Sequence, residues 1–444
     1  MTDASARIFA SVLKFMKTPA AVWGAFVLVH LWLGLLNLYA PGLPMGDVTI
    51  VYKFWTEQAL NTGFWVGIHS IWVYPIVAWL PMLGSAVLGP DLYGSTWLTM
   101  VMIVDAVAFG VLTGWGRARE RIGVAWWWIG FLFLLGPISL GRIDSISVPL
   151  AMIAVLVIAR RPKVAAVILT LATWIKVWPA ALLLAAVIAL RDRWRILIAA
   201  VVTSGAVVVV SLAFGSGANV VSFITQQTGR GLQPEAPVST FFMWQALAGV
   251  PGAKVYYDEA ILSYGVKGPG DAFAIAIMSP LLAIVVLVIA ALGLRAVRAG
   301  ARPGYLFPAL ALAFTTTMIA INKVGSPQYI AWLAVPIVLG IATSAAGQGR
   351  SFRTPATVGL ALAALTQFLY PYFYSALLML KPLMVVALTV RNILEFVLLG
   401  WAIVMVYRAP NAEDEPIENE SWLPAVWPFA RVAAEVPSDT PKAD

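Results

Sequence analysis

The sequence predicts an all-α, polytopic membrane protein of about twelve transmembrane helices. Three observations predict it. Of 444 residues, 61% are hydrophobic and 11% charged, whereas a soluble domain carries about a quarter charged residues. Apolar stretches follow one another from Val22 to Val406 with no long polar block, which excludes a single anchor on a soluble enzyme. The chain also holds 19 Trp and 13 Tyr, residues that gather at the two membrane–water interfaces.

A spanning helix needs roughly 20 mainly apolar residues. The first such stretches are Ala20–Tyr39, Thr96–Gly114, Val124–Leu140 and Ile146–Ile158. Val164–Ile175 and Trp178–Leu190 are short and are split by Lys176 and Pro179. Then come Ile196–Phe214, Asp271–Leu292, Tyr305–Ala320, Ile330–Ala346, Thr357–Met379 and Leu383–Tyr407. Tyr74–Leu88 is apolar too, but Pro75 and Pro81 interrupt it, and it reads as a helix lying in the interface.

Charge placement orients these spans. With a cytoplasmic N-terminus, every second loop is short and basic, and those segments hold 18 of the 29 Lys and Arg. Counting Tyr74–Leu88 as a span would invert every later loop. The opposite loops hold eight, including Lys53, Arg142, Lys176, Arg230 and Lys323. The transmembrane domain is thus residues 1–407, with a first outer loop 41–95 and a long outer loop 215–270. Residues 408–444 hold eight acidic and three basic residues and read as a disordered cytoplasmic tail, whose Trp422, Trp427 and Phe429 are apolar enough to graze the membrane. The expected location is the plasma membrane, with both termini cytoplasmic and function on the outer face, where the long loops are. The remainder of the chain is strongly basic, which fits anionic lipid headgroups better than nucleic acid.

Composition narrows the chemistry. Cys is absent and His occurs only at positions 30 and 69, so thiolate sites, a His-based zinc site and a Ser–His–Asp triad are excluded. The sequence contains no Walker A motif and no acidic pair in a DxD pattern. No metal and no cofactor is expected.

Four polar clusters remain. In the first outer loop, Asp47 opens an amphipathic helix on which Val48, Val51, Tyr52 and Trp55 share a face. Asp47 reads as an N-cap or as a carboxylate that accepts a proton from a hydroxyl at the membrane boundary; Glu57, farther along, reads as solvated. In Gly141-Arg142-Ile143-Asp144, the pair is a self-satisfied ion bridge or a guanidinium clamping a phosphate with Asp144 orienting it. Lys176, between two apolar half-helices, either snorkels or points into a cavity toward an anion. The segment Asn322-Lys323-Val324-Gly325-Ser326-Pro327-Gln328-Tyr329 packs more hydrogen-bonding groups than a connector needs. Lys323 suits a phosphate there, and Gln328 and Tyr329 suit sugar hydroxyls. Inside the spans, Arg391 and Glu395 are four apart and suited to pair.

These clusters, in this order, resemble the GT-C superfamily of multi-pass glycosyltransferases. Within it the likeness is to the actinobacterial polyprenyl-phosphate-mannose α-mannosyltransferases of glycosyltransferase family 87, over Ala20 to about Tyr407. The matching elements are Asp47, the aromatic helix with Tyr52 and Trp55, Tyr74-Pro75, the turn Gly141–Asp144 and Lys176-Val177-Trp178-Pro179. Asp144 stands where the family often has Asn. The resemblance implies a GT-C-like fold and inverting transfer of a sugar, mannose, from polyprenyl phosphate to a lipid or lipoglycan. Asp47 would be the catalytic base. Arg142, Lys176 and Lys323 would bind the donor phosphate, and Tyr52, Trp55, Tyr74, Asp144, Gln328 and Tyr329 would line the substrate site. The partners implied are the polyprenyl-phosphate sugar, a lipid or glycolipid acceptor and membrane lipids, with no nucleic acid. Two alternatives are an arabinofuranosyltransferase of the same superfamily and a polyprenyl-phosphate lipid flippase. Alternating access would spread function over both faces, and the one-sided loops argue against the flippase.

Overall fold

The structure is a computed structural model and describes Ser5, residues 14–259 and residues 262–409. The acidic tail, from residue 410 onward, lies outside the described residues. Among the described residues, eight helices are long and apolar enough to cross a membrane: Pro19–Tyr39, Pro90–Thr113, Arg119–Ser139, Arg193–Ala213, Asp271–Arg298, Pro303–Ala320, Pro327–Ala345 and Pro382–Tyr407. Four shorter apolar helices accompany them, Ile76–Ser85, Asp144–Val157, Pro162–Ile175 and Ala180–Ala189. The eight coincide with eight expected spans, and three of the short ones with the expected short spans.

The remaining expected span needs correction. Thr357–Met379 is not one helix: it is broken into Arg353–Gln367 and Tyr374–Leu378. Between them the chain kinks, with Tyr370 in an extended conformation ahead of Pro371. The residue before a proline is pushed out of the helical region, so the break is local chemistry.

Local sequence explains the boundaries. Helix α1 (Pro19–Tyr39) starts at Thr18, whose hydroxyl accepts from the Ala21 N–H at 3.2 Å, with Pro19 at the first position. The long central helix Pro303–Ala320 is almost wholly buried, whereas Asp271–Arg298 faces outward along most of its length. The two differ because the first packs against four neighbouring helices and the second covers one edge of the bundle.

The two long loops are folded rather than irregular. Residues 41–95 form a helical segment Asp47–Tyr52, a helix Lys53–Thr62 and a short helix Trp79–Ser85. The interrupted helix expected over Tyr74–Leu88 is shorter, beginning after Pro75 with a turn Ile76–Ala78, and Pro81 lies inside the helix Trp79–Ser85 without breaking it. Residues 215–270 contain helices Ser222–Thr228 and Ser239–Leu247 and an antiparallel hairpin, β1 (Lys254–Asp258) with β2 (Ser263–Lys267). This loop is pinned on the turn after Pro303–Ala320. A Cβ on Gly325 would meet the Ala236 backbone nitrogen, and the Gln233 N–H donates to the Lys323 carbonyl at 2.9 Å. Only glycine permits that approach.

Candidate active site

The polar clusters converge at one end of the bundle. Asp47 is the first residue of its helical segment and makes no capping bond. The expected N-cap role is therefore corrected. Its carboxylate turns to Arg142, with Nε to Oδ2 3.2 Å apart, and keeps 39% of its side-chain surface exposed.

Arg142 is 7% exposed. Its Nη1 donates to the carbonyls of Pro44, at 2.6 Å, and Gly141, at 2.8 Å. Its Nη2 donates to the Tyr370 hydroxyl at 2.8 Å. Four of the five guanidinium donors are thus directed at protein acceptors. The expected Arg142–Asp144 bridge is not formed: Arg142 takes Asp47 and Asp144 turns elsewhere. Burial disfavours the Arg142 cation, but Asp47 together with Tyr370, Tyr52 and Tyr74 outweighs it, and its pKa stands above the ordinary value. The turn allows this because position 141 is glycine. A Cβ there would lie 2.6 Å from Asn37 Oδ1 and 2.9 Å from the Pro44 carbonyl.

Two tyrosines lead inward from this pair. Tyr52 and Tyr74 share a hydrogen bond between hydroxyls at 3.2 Å, and Trp55 packs edge-on to Tyr74 at 6.1 Å. Burial raises the pKa of both phenols, and Asp47 adds to it, so both stay protonated and able to donate. Lys176 lies over the Tyr74 ring, its Nζ 4.7 Å from the ring centroid and 5.7 Å from that of Tyr329. Lys176 also interacts with Asp144. Burial disfavours the ammonium, but Asp144, Tyr74 and Tyr329 together outweigh it and the pKa is raised, which favours the charged form.

Asp144 is 1% exposed. Its Oδ1 accepts from Trp332 Nε1 at 2.7 Å, and its Oδ2 has no hydrogen-bond partner. Trp332 is held between Trp178, stacked at 5.5 Å and 8°, and Tyr329, stacked at 4.2 Å.

Lys176, Lys323, Tyr329, Trp178 and Trp332 line a cavity of about 270 Å³, whose remaining wall is largely apolar and includes Met278 and Leu282 of the outward-facing helix. Lys323 is 5% exposed, and burial lowers its pKa. Gln328 is buried nearby but does not line the cavity. Two residues went unrecognised in the sequence. Tyr370 has no motif signal, and only the kink delivers it to Arg142. Arg230 lies in a long loop yet interacts electrostatically with Lys176.

The site therefore has a carboxylate held by a guanidinium, a cavity with two lysines, and Tyr74 in electrostatic reach of both Asp47 and Lys176. No metal-binding cluster of His, Asp and Glu occurs among the described residues. Residues 72–320 match the sequence model of glycosyltransferase family 87. The chain belongs to glycosyltransferase family 87. The matched region carries Tyr74, Arg142, Asp144, Lys176 and Arg230, while Asp47 and Lys323 flank it. No curated protein and no solved structure matches the chain. The family identity makes this chain a membrane-embedded glycosyltransferase, acting on a sugar donor and an acceptor.

Proposed function

We propose that this glycosyltransferase moves a sugar, mannose, from polyprenyl phosphate to a hydroxyl of a lipid or lipoglycan, with inversion, on the outer face of the plasma membrane. The observation that carries the reading is the arrangement around Tyr74: the Asp47 carboxylate and the Lys176 ammonium both act on this one phenol, with Lys176 Nζ 4.7 Å from its ring centroid. A base and a phosphate-neutralising cation thereby share one aromatic neighbour.

In this reading Asp47 takes the proton of the acceptor hydroxyl, and Arg142 holds the carboxylate in place. Arg142 thus becomes a positioning residue and not the free phosphate clamp expected from the sequence, because its donors are already engaged. The leaving polyprenyl phosphate gains negative charge as the glycosidic bond breaks. Lys176 and Lys323, with Arg230 nearby, would neutralise that charge without a metal. Asp144 orients Lys176. Tyr52, Trp55 and Tyr74 form the wall against the sugar, and Tyr329 and Gln328 are the candidate hydroxyl partners. The apolar side of the cavity, toward Met278 and Leu282, supports a donor whose tail remains in the bilayer.

The test is transfer by the purified full chain from radiolabelled polyprenyl-phosphate mannose to a lipid extract. Label appearing in the lipid fraction supports the reading. Transfer from a polyprenyl-phosphate arabinofuranose donor, and none from mannose, would replace the sugar while keeping the site.

A further inference from the structure

The opposite end of the bundle carries a second cavity. Helix α1 has 21 residues, so its start lies about 30 Å from the Asp47 end. There the segment before Thr18 folds against the turn Arg119–Arg121 and the helix Ile122–Leu135. Trp126 Nε1 donates to the Met16 carbonyl at 2.9 Å and fastens the two together. Between them is a cavity of about 540 Å³ lined by Met16, Lys17, Arg119, Ile122, Gly123 and Trp126.

Its chemistry is divided. Lys17 and Arg119 supply two cations, neither in an ion pair among the described residues. The neighbouring carboxylate, Glu120, interacts with Arg121 instead. Met16, Ile122 and Trp126 supply an apolar and aromatic floor. Gly123 opens the space further, since a Cβ there meets nothing within 4 Å. Phe15, 61% exposed, lies in the segment before Thr18, and Trp115, 49% exposed, lies four residues before the turn Arg119–Arg121, as aromatic residues do at a membrane–water interface.

We propose that this cavity binds the phosphodiester headgroup of an anionic membrane phospholipid. Lys17 and Arg119 meet the phosphate, and the first part of an acyl chain lies on Met16, Ile122 and Trp126. Two cations with no carboxylate between them fit an anion, and the apolar floor fits an anion that carries a chain. A free phosphate would leave that floor unused. The site is separate from the glycosyl-transfer machinery and does not depend on the donor assigned there.

The test uses the full chain in neutral detergent, titrated with radiolabelled phosphatidylglycerol and, in parallel, phosphatidylcholine, with retention on the protein measured by gel filtration. Phosphatidylglycerol should bind in preference, and millimolar inorganic phosphate should not displace it. Lys17→Ala with Arg119→Ala should weaken binding about tenfold. Gly123→Leu fills the cavity without changing charge and should weaken it as well. Arg298→Ala with Arg302→Ala removes two cations from the same end outside the cavity and should change nothing. Equal loss in that control pair, wild-type binding by Gly123→Leu, or displacement by inorganic phosphate would each overturn the proposal. If the alanine pair fails to give a monodisperse protein, Lys17→Gln with Arg119→Gln serves in its place.

Discussion

Arg142 Nε lies 3.2 Å from Asp47 Oδ2, across 95 residues of sequence, and the other Arg142 donors fix it to Pro44, Gly141 and Tyr370. The carboxylate is thereby aimed from the turn between two spans, not from its own helix. An arginine whose donors are spent in this way orients a neighbour, and its rigid planar fork cannot be copied by lysine.

Asp47→Asn keeps an oxygen for the Arg142 N–H and removes the proton acceptor. Turnover should fall about 10²–10⁴-fold, with donor binding retained. Glu57→Gln should be nearly silent, since Glu57 is 44% exposed and only 3.8 Å from Lys53. Initial rates and donor binding on the same preparations decide it. Wild-type turnover in Asp47→Asn sinks the base assignment and moves it to Asp144.

The donor phosphate is probed by Lys176→Ala and Lys323→Ala. Each should weaken donor use by about 1–3 kcal/mol if its ammonium meets the phosphate. The loss should appear as a higher donor KM. Arg142→Lys should instead lower kcat, because it loosens Asp47. Unchanged donor KM in both lysine variants removes the phosphate site from this cavity.

The sequence made the spans legible because burial in a bilayer demands long apolar runs, which no tertiary context disguises. It also marked Asp47, Asp144, Lys176 and Lys323, since charges at span ends are costly and therefore conspicuous. It did not reveal their partners. Arg142 and Asp144 are two residues apart and read as a pair, yet packing gives Arg142 to Asp47 and leaves Asp144 facing Lys176. Tyr370 was hidden in an apolar run, although Pro371 already signals a break there. The hairpin Lys254–Asp258 with Ser263–Lys267 was hidden among glycines, despite Tyr256, Tyr257 and Tyr264, which favour strands.

Arg391 and Glu395 test a different level. They pair at 3.1 Å with 2% and 0% exposure, and Arg391 Nη1 also donates to the Glu235 carbonyl at 2.9 Å, tying the long loop 215–270 to the last helix. Glu395→Leu alone strands a buried guanidinium and should destabilise by about 3–5 kcal/mol. Arg391→Met with Glu395→Leu removes both charges and should cost less. Thermal unfolding followed by tryptophan fluorescence orders the variants. A double variant less stable than Glu395→Leu alone would show that the Glu235 bond outweighs the ion pair.

Orientation needs its own measurement. The chain has no Cys, so single cysteines report cleanly. Asn61→Cys and Lys254→Cys, at exposed positions of the two long loops, should react with an impermeant thiol reagent in intact cells. Ala345→Cys, exposed at the end of the helix Ala334–Ala345, should react only after lysis. The reverse pattern would turn the active site inward.

Asp144 links charge to pH. Lys176 is buried, which alone would lower its pKa, and Asp144 is the largest influence raising it. In the wild type the ammonium therefore stays protonated to above its ordinary range, and donor KM should not rise through Lys176 below that range. Asp144→Asn removes the compensating charge and leaves burial dominant, so the Lys176 pKa falls. The protonated form is the one that binds phosphate, so the variant should lose donor affinity as pH rises, while near neutrality it stays closer to wild type. Asn can still accept from Trp332 Nε1, which keeps the local packing and separates charge from shape. Donor KM measured against pH for both proteins checks this. Parallel profiles would mean that Asp144 does not set the Lys176 charge, and that its bond to Trp332 is its whole contribution.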